Sequence, residues 1–311
     1  MVYLRRIGVA DIRRNCSHHV LLEYSVLLID ANNLFFSTAI DHFGNTREPV
    51  TTEAVRAVLT SRLARINRDM KKVPGEKILA FDDRRYWRRD VFEHYKASRA
   101  KQRDDQKFDW DSFFPAFNIY KDELREVFPY KTLQVENAEA DDIIAILALR
   151  AAASGDPVTI WSSDTDDLQL QLIEPKIKQY SYVRKKYITP KSENYSLFEH
   201  IVRGDSGDGV PNILTRSDHF VNNPEGKRQK SIYEAKLQEW AQHANDPAKF
   251  CDEDMLKRFN ENRVLVDYTK IPADIASAIV EAYETTKVPK GKLFNYMVKN
   301  RMTNVMKEAG W

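Results

Sequence analysis

Ser25-Val26-Leu27-Leu28-Ile29-Asp30 is the segment on which the fold turns: a short apolar run passes without a break into an aspartate. Adjacent as well as alternate positions are apolar, which reads as a strand buried on both faces. The pattern returns twice, in Lys77–Phe81 (KILAF) before Asp82 and in Pro157–Ser163 (PVTIWSS) before Asp164. Between the first two, Ala54, Val55, Val58, Leu59, Leu63 and Ile66 keep a helical spacing. Two-sided strands separated by helices predict an α/β fold with a central, mainly parallel sheet flanked by helices. Ligands of such sheets bind beyond the carboxyl ends of the strands. The three aspartates fall at that edge.

Further carboxylates come in groups: Asp83 beside Asp82; Glu139, Asp141 and Asp142 at the start of the helical stretch AEADDIIAILALRAAA; Asp166 and Asp167 after Asp164; Asp205 and Asp208 in a Gly-rich turn. Taken singly, each has an ordinary explanation. A strand-terminal Asp often forms a turn or an N-cap, and acids in a first helical turn are favoured by the helix dipole. Jointly they describe a site for hard divalent ions, which take oxygen ligands and keep several waters. Two such ions can activate a water and stabilise the leaving oxygen of a phosphodiester.

From residue 84 to 103 the balance reverses, with eight basic residues (Arg84, Arg85, Arg88, Arg89, Lys96, Arg99, Lys101 and Arg103) against Asp90 and Glu93. Tyr86, Trp87, Phe92 and Tyr95 interleave with them. Phosphate neutralisation by cations and base stacking on aromatics are the two contributions to single-strand binding. A charge run is more often a solvated face, but the aromatics favour a nucleic-acid contact. The net charge of +2 averages these opposite fields and says little.

The 311 residues are 42% hydrophobic and 30% charged, a globular balance. No apolar run approaches the roughly 20 residues of a membrane span, so no membrane partner is expected. Two separated cysteines, Cys16 and Cys251, and seven scattered histidines form no zinc pattern. A reducing, cytoplasmic setting fits them. Residues 1–23 read as a polar N-terminal extension without a secretory core. Residues 24–185 read as the α/β core, including an arch at about 84–107. Residues 186–311, punctuated by Pro and Gly, read as a mainly helical region.

In order along the chain, LLIDANNL, ILAFDDRRYWRRD, HYKASR, AEADDIIAIL, SSDTDDLQL and RGDSGDGV resemble the motifs of the 5′-nuclease (flap endonuclease) family, and most closely its T-even-type bacteriophage branch of RNase H and 5′-3′ exonucleases. One such motif is weak; six in order are specific. The resemblance covers residues 27–210 well, with fainter likeness in YTKIPADIASAIV and LFNYMVKN. It implies a PIN-like fold with a helical arch and metal-site acids at Asp30, Asp82, Glu139, Asp141, Asp164, Asp166, Asp205 and Asp208. The first four are assigned to one ion, and the others surround a second. Catalytic arch residues fall on Tyr95, stacking near the scissile nucleotide, and on Lys96 and Arg99, holding its phosphate. Nucleic acid is expected at Arg84, Arg85, Arg88, Arg89, Lys101 and Arg103, and at Gly204, Gly207 and Gly209 in a helix–turn–helix-like motif at about 198–216. Cellular relatives follow the Gly-Asp motif with a Gly-x-Gly-x-Lys-Thr-Ala-type turn. Here Val210-Pro211-Asn212-Ile213-Leu214-Thr215 stands instead, so the likeness stops short of a potassium-binding loop.

The implied activity is a 5′-3′ exonuclease and flap endonuclease acting on RNA·DNA hybrids and duplex or flap DNA. It removes RNA primers from lagging-strand fragments by two-metal hydrolysis with Mg2+, or Mn2+ in its place. A monomer in the host-cell cytoplasm is expected, with a single-strand-binding protein and a sliding clamp as partners. Two rival readings are a non-catalytic nucleic-acid-binding accessory protein and a metal-dependent phosphatase on a similar sheet.

Overall fold

The computed structural model describes residues 25–44, 48–71, 73, 75–99, 103, 107–223 and 226–311. The expected 1–23 extension, with Cys16, and the basic residue Lys101 lie outside the described residues.

Among the described residues six strands form one sheet: β1 (Ser25–Asp30), β2 (Gly75–Phe81), β3 (Lys131–Gln134), β4 (Val158–Trp161), β5 (Lys178–Ser181) and β6 (Lys186–Ile188). Their spatial order is β3-β2-β1-β4-β5-β6; β1 to β5 pair in parallel, and β6 turns back antiparallel to β5. β1 is central and buried at every position. Its Leu27 and Ile29 enter one core and its Val26 and Leu28 the other, which is why the segment carries no polar alternation.

Helices α1 (Ala31–Phe43), α2 (Thr52–Asp69), α3 (Arg88–Val91) and α4 (Trp110–Val127) follow in the first half of the chain. α1, α2 and α4 cover the Leu27 face, where Phe35, Phe113, Phe117 and Tyr120 pack as an aromatic cluster. The opposite face is covered by α5 (Ala140–Ser154), whose Ile143, Ile144, Ile146, Leu147 and Leu149 are all buried, as its nearly continuous apolar sequence requires.

Later in the chain come α6 (Leu168–Ile173), α7 (Pro190–Glu193), α8 (Leu197–Arg203), α9 (Glu234–Ala241), α10 (Glu253–Val266), α11 (Ala273–Thr285), α12 (Leu293–Lys299) and α13 (Thr303–Ala309). This half is mainly helical, yet it completes the core rather than standing apart. α11 packs on α5, and α13 returns to lie on α2 across the sheet. The Tyr296 hydroxyl donates to Glu123 at 2.6 Å, a carboxylate that also pairs with Arg56, and the Trp311 indole N–H donates to the Tyr130 hydroxyl at 3.2 Å.

The helical arch expected at about 84–107 is described in part: α3 supplies one turn, and Ser98, Arg99 and Arg103 are helical. α3 ends at Phe92 in extended backbone, and turns follow through Ala97, with Lys96 in the left-handed region at φ 55°. One expectation is corrected: among the described residues, no second helix follows α8 within 198–216. There the Asn212 side chain accepts from the Leu214 N–H at 3.0 Å and the Thr215 hydroxyl at 2.8 Å, fixing a side-chain-anchored turn after Pro211, and the next helix begins at Glu234.

Candidate active site

The carboxyl ends of β1, β2 and β4 point the same way because the strands are parallel, and each hands its acid to the same edge. Asp30, buried, ends β1 and caps α1 by accepting from the Asn33 N–H at 3.0 Å. Asp82 follows β2 and accepts from the Ala140 N–H at 2.8 Å, which ties the sheet edge to the start of α5. Glu139 and Asp141 therefore arrive beside Asp82. After β4, Asp164 accepts from the Asp166 N–H at 2.9 Å, so the loop folds over itself and brings both acids into line.

Asp205 and Asp208 come from the turn after α8. Asp205 accepts from the Gly207 N–H at 2.8 Å, and its carbonyl accepts from the Val210 N–H at 2.7 Å. The turn needs glycine at its start for a steric reason. Gly204 has φ +67°, and a Cβ there would sit 2.4 Å from the Val210 carbonyl oxygen. Gly209 is buried against the backbone of His94 and Lys96, and the Lys96 N–H donates to the Asp208 carbonyl at 2.8 Å. Gly209 is thus a packing residue rather than the nucleic-acid contact expected of it, and Gly207 is exposed.

All eight acids singled out from the sequence converge. Burial raises the Asp30 carboxyl to about 7, with Asp82 and Asp164 adding repulsion. Burial together with Asp30, Asp167 and Asp164 raises Asp141 well above the carboxylate range. Burial together with Asp164, Asp205 and Asp208 does the same to Asp166. Asp82 and Asp205 are raised too, by burial first. Glu139 and Asp208 go the other way. Burial alone would raise them, but Lys96 with Arg88, and Lys96 with Arg99, hold them below the usual range.

Those cations form the opposing wall. Lys96 is buried; its ammonium contacts Glu139 closely and Asp208 at 3.6 Å, and Arg99 pairs with Asp208. Lys96 and Arg99 line two adjoining cavities. One, of about 590 Å³, holds Asp141, Asp164, Asp166, Asp205 and Asp208; the other, of about 490 Å³, holds Asp82, Arg84, Arg89 and Arg103. An acid-lined chamber and a base-lined chamber meet at two cations. Arg84, Arg85, Arg89 and Arg103 are exposed, with Arg89 over the Tyr86 ring and Arg103 over the Phe114 ring. The sequence reading missed Lys121, which lines the same basic cavity from α4 and lies outside the charge run that drew notice.

Other members of the strip are not available to a ligand. Arg88 is buried, donating to Glu139 at 2.6 Å, to Asp142 at 2.8 and 3.0 Å, and to the Leu265 carbonyl at 2.7 Å. Its expected nucleic-acid role is corrected to a structural one, because every guanidinium nitrogen is engaged inside the protein. Trp87 and Phe92 are buried as well, so neither stacks on a base. Tyr95 is 4% exposed; its hydroxyl bonds Glu139 at 3.0 Å and Asp208 at 2.7 Å, and its ring lies edge-on to Tyr86. The expected stacking of Tyr95 on a nucleotide gives way to a clamp on two carboxylates. Asp142 is used up in holding the arch base, through Arg88, the Trp87 indole N–H at 3.0 Å and the Glu139 N–H at 3.0 Å.

Arg88→Ala is expected to destabilise the fold by roughly 3–5 kcal/mol, since it leaves Asp142 buried without its cation and Glu139 with Lys96 as its remaining one. Urea unfolding measures this; a loss no greater than that of an exposed Arg84→Ala control would contradict the assignment. Two further residues stand at the site beside the eight. Asp167, grouped with Asp164 and Asp166 in the sequence but not assigned to an ion, is fully buried among the acids, and His200 faces Asp166 with Nδ1 at 3.2 Å. A lone histidine five residues ahead of an aspartate carries no recognisable metal spacing.

A parallel sheet with an acidic edge facing cations is the arrangement of a metal-dependent nuclease, and the chain belongs to the 5′-3′ exonuclease family. Residues 25–198 match the family described as 5'-3' exonuclease, N-terminal resolvase-like domain, and residues 191–309 match T4 RNase H, C terminal. Among its relatives, the ribonuclease H of Enterobacteria phage T4 is 32% identical over 292 residues, covering 91% of this chain and 95% of the relative. The flap endonuclease Xni of Cronobacter sakazakii is 33% identical over 121 residues, 37% of this chain and 43% of that protein. Similar solved folds include the D15 protein of T5, co-crystallised with metal ions, at TM-score 0.55 and 15% identity, covering 84% of this chain and 97% of that one. Another is the bacteriophage T5 D15 flap endonuclease with DNA and metal ions, at TM-score 0.51 and 16% identity, covering 92% of this chain and 100% of that one. The chain is therefore a nuclease, a hydrolase, which sets aside the non-catalytic and phosphatase readings. No helix among the described residues is long and apolar enough to cross a membrane.

Proposed function

We propose that this chain hydrolyses phosphodiester bonds from a 5′ end in RNA·DNA hybrids, duplex DNA and flaps, and that it removes RNA primers from lagging-strand fragments with two Mg2+ ions, Mn2+ substituting. The observation that carries the proposal is the convergence of eight acids from five separate chain segments on one edge, opposite Lys96 and Arg99. A relative named ribonuclease H and a structural neighbour crystallised with DNA and metal ions support it.

The acids suit hard dications. Their donors are oxygen, and burial, with mutual repulsion added, pushes Asp30, Asp141 and Asp166 toward protonation, a cost that divalent charge relieves. Asp30, Asp82, Glu139 and Asp141 would hold one ion; Asp164, Asp166, Asp205 and Asp208 would surround the other. When bound, the pair supplies an activated water and charge stabilisation for the leaving oxygen. The chain's own residues do the rest. Lys96 and Arg99 sit where the two cavities join, so a phosphate entering from the basic side meets them first, and their charges are placed to neutralise oxyanions as they develop. Tyr95 and Arg88 keep Glu139 from swinging away. Arg84, Arg89 and Arg103, with Lys121, hold the backbone leading to the site.

The test uses a 5′-labelled RNA primer on a DNA template, alongside blunt, nicked and flapped DNA. Short 5′-terminal products with Mg2+ and none with excess chelator are expected; cleavage that persists in chelator would overturn the mechanism. The proposed setting is the cytoplasm, and the proposed working form a monomer, in contact with a single-strand-binding protein and a sliding clamp during primer removal.

A further inference from the structure

We infer that His200 is a direct metal ligand, and that Asp166, His200 and Asp205 form a mixed nitrogen–oxygen site that takes Mn2+ or Co2+ in preference to Mg2+. This rests on the metal-dependent nuclease reading above, and at one of its two ion sites it replaces Mg2+ as the preferred ion.

Geometry carries the inference. Each of the three residues offers one ligand atom, and these atoms lie within 4.8 Å of one another. His200 Nδ1 is 3.2 Å from an Asp166 oxygen. Neighbouring ligands at about 2.1 Å from one octahedral ion stand about 3 Å apart, so this spacing is that of adjacent corners. Each residue is held where it is by its own element. His200 lies in the last turn of α8, a helix capped by Ser196, and its ring is edge-on to Tyr195. Asp205 is fixed by the Gly207 N–H, and Asp166 by its backbone bond to Asp164.

A second observation lies at the border of the same cavity. The Tyr195 hydroxyl is buried on the wall shared by Asp166, His200 and Asp205, and it finds no hydrogen-bonding partner in the protein.

The chemistry of the donors then sets the preference. Carboxylates alone suit Mg2+, whereas imidazole favours later first-row ions, with affinity rising from Mn2+ through Co2+. One nitrogen among oxygens leaves Mg2+ able to bind but no longer favoured.

The experiment uses the full chain, Mn2+ as the ion and pulsed electron paramagnetic resonance as the readout, with Mg2+ affinity taken from competition. Nitrogen coupling to bound Mn2+ is expected, and His200→Ala should abolish it. The same change should weaken Mn2+ about 10–100-fold at that site while Mg2+ changes far less. His200→Gln separates ligation from positioning, because the amide can still donate to Asp166 without supplying an imidazole. Loss in Gln as in Ala supports ligation; full Mn2+ affinity in Gln, or equal weakening of both ions, overturns it. Should Ala fail to fold by circular dichroism, Gln decides. Mn2+ bound at two sites without nitrogen coupling sinks this inference and leaves the nuclease reading standing, whereas no Mn2+ binding at all sinks both.

Discussion

Asp141→Asn is expected to lower the cleavage rate by about 10³-fold or more while raising the melting temperature of the chelated protein at pH 8. The two effects share one cause. Asp141 is held close to Asp30, Asp164 and Asp167, and in the absence of divalent ions its ionised form is opposed by burial and by those neighbours. The amide keeps the shape and drops the charge, so the apoprotein loses a repulsion as the catalyst loses a ligand. Each kcal/mol of relief should raise the midpoint by about 2–4 °C. DNA affinity should be kept or improved, because less negative charge faces the phosphates. Fluorescence anisotropy on a nuclease-resistant flap measures the affinity, and thermal denaturation in chelator the stability. A variant that is inactive and also less stable without metal would mean that Asp141 supports the fold instead.

The sign of the pH effect follows from the same cluster. Asp30 has its carboxyl raised from 3.8 to about 7 in the folded chain. Below the lower value both states hold the proton and nothing changes. Between the two, the folded chain keeps a proton that the unfolded chain has released, so apoprotein stability falls as pH rises, and the loss is complete above about 7. Added Mg2+ should therefore stabilise the protein more at pH 8 than at pH 5.5.

Lys96→Ala is the second large effect: a fall in cleavage rate of about 10²–10³-fold with a modest change in duplex affinity. Lys96 faces Glu139 and Asp208 and lines both the acidic and the basic cavity, which is why we propose that it acts at the reacting phosphate and not along the bound backbone. Its removal also leaves two carboxylates short of a buried partner, a loss on the order of 3 kcal/mol in the absence of divalent ions. Mg2+ should recover more stability in this variant than in the parent chain. Single-turnover kinetics on a 5′-labelled flap, with binding measured separately, distinguishes the contributions. Equal rates in variant and parent would place the arch chemistry elsewhere.

Much of this was legible before any coordinates. The three apolar runs ending in Asp30, Asp82 and Asp164 announced parallel strands and an acidic edge, because a strand buried on both faces leaves its polar residues only at its ends. The order of motifs then pointed to the family. Legibility failed wherever a side chain's role depends on what lies against it. Arg88 and Arg89 are neighbours of the same type, yet one is enclosed by Glu139, Asp142 and Leu265 and the other is exposed beside Tyr86. Tyr95 read as a stacking platform and is a hydrogen-bond clamp.

From sequence alone came the layered sheet, the sign of charge at its edge and the chemistry that such charge attracts, since these follow from local patterns of polarity along the chain. Tertiary structure decided which acids meet, which cations are enclosed and that a histidine joins them. Those outcomes depend on contacts between segments over a hundred residues apart, such as Arg99 and Asp208, and no local pattern encodes the distance between them.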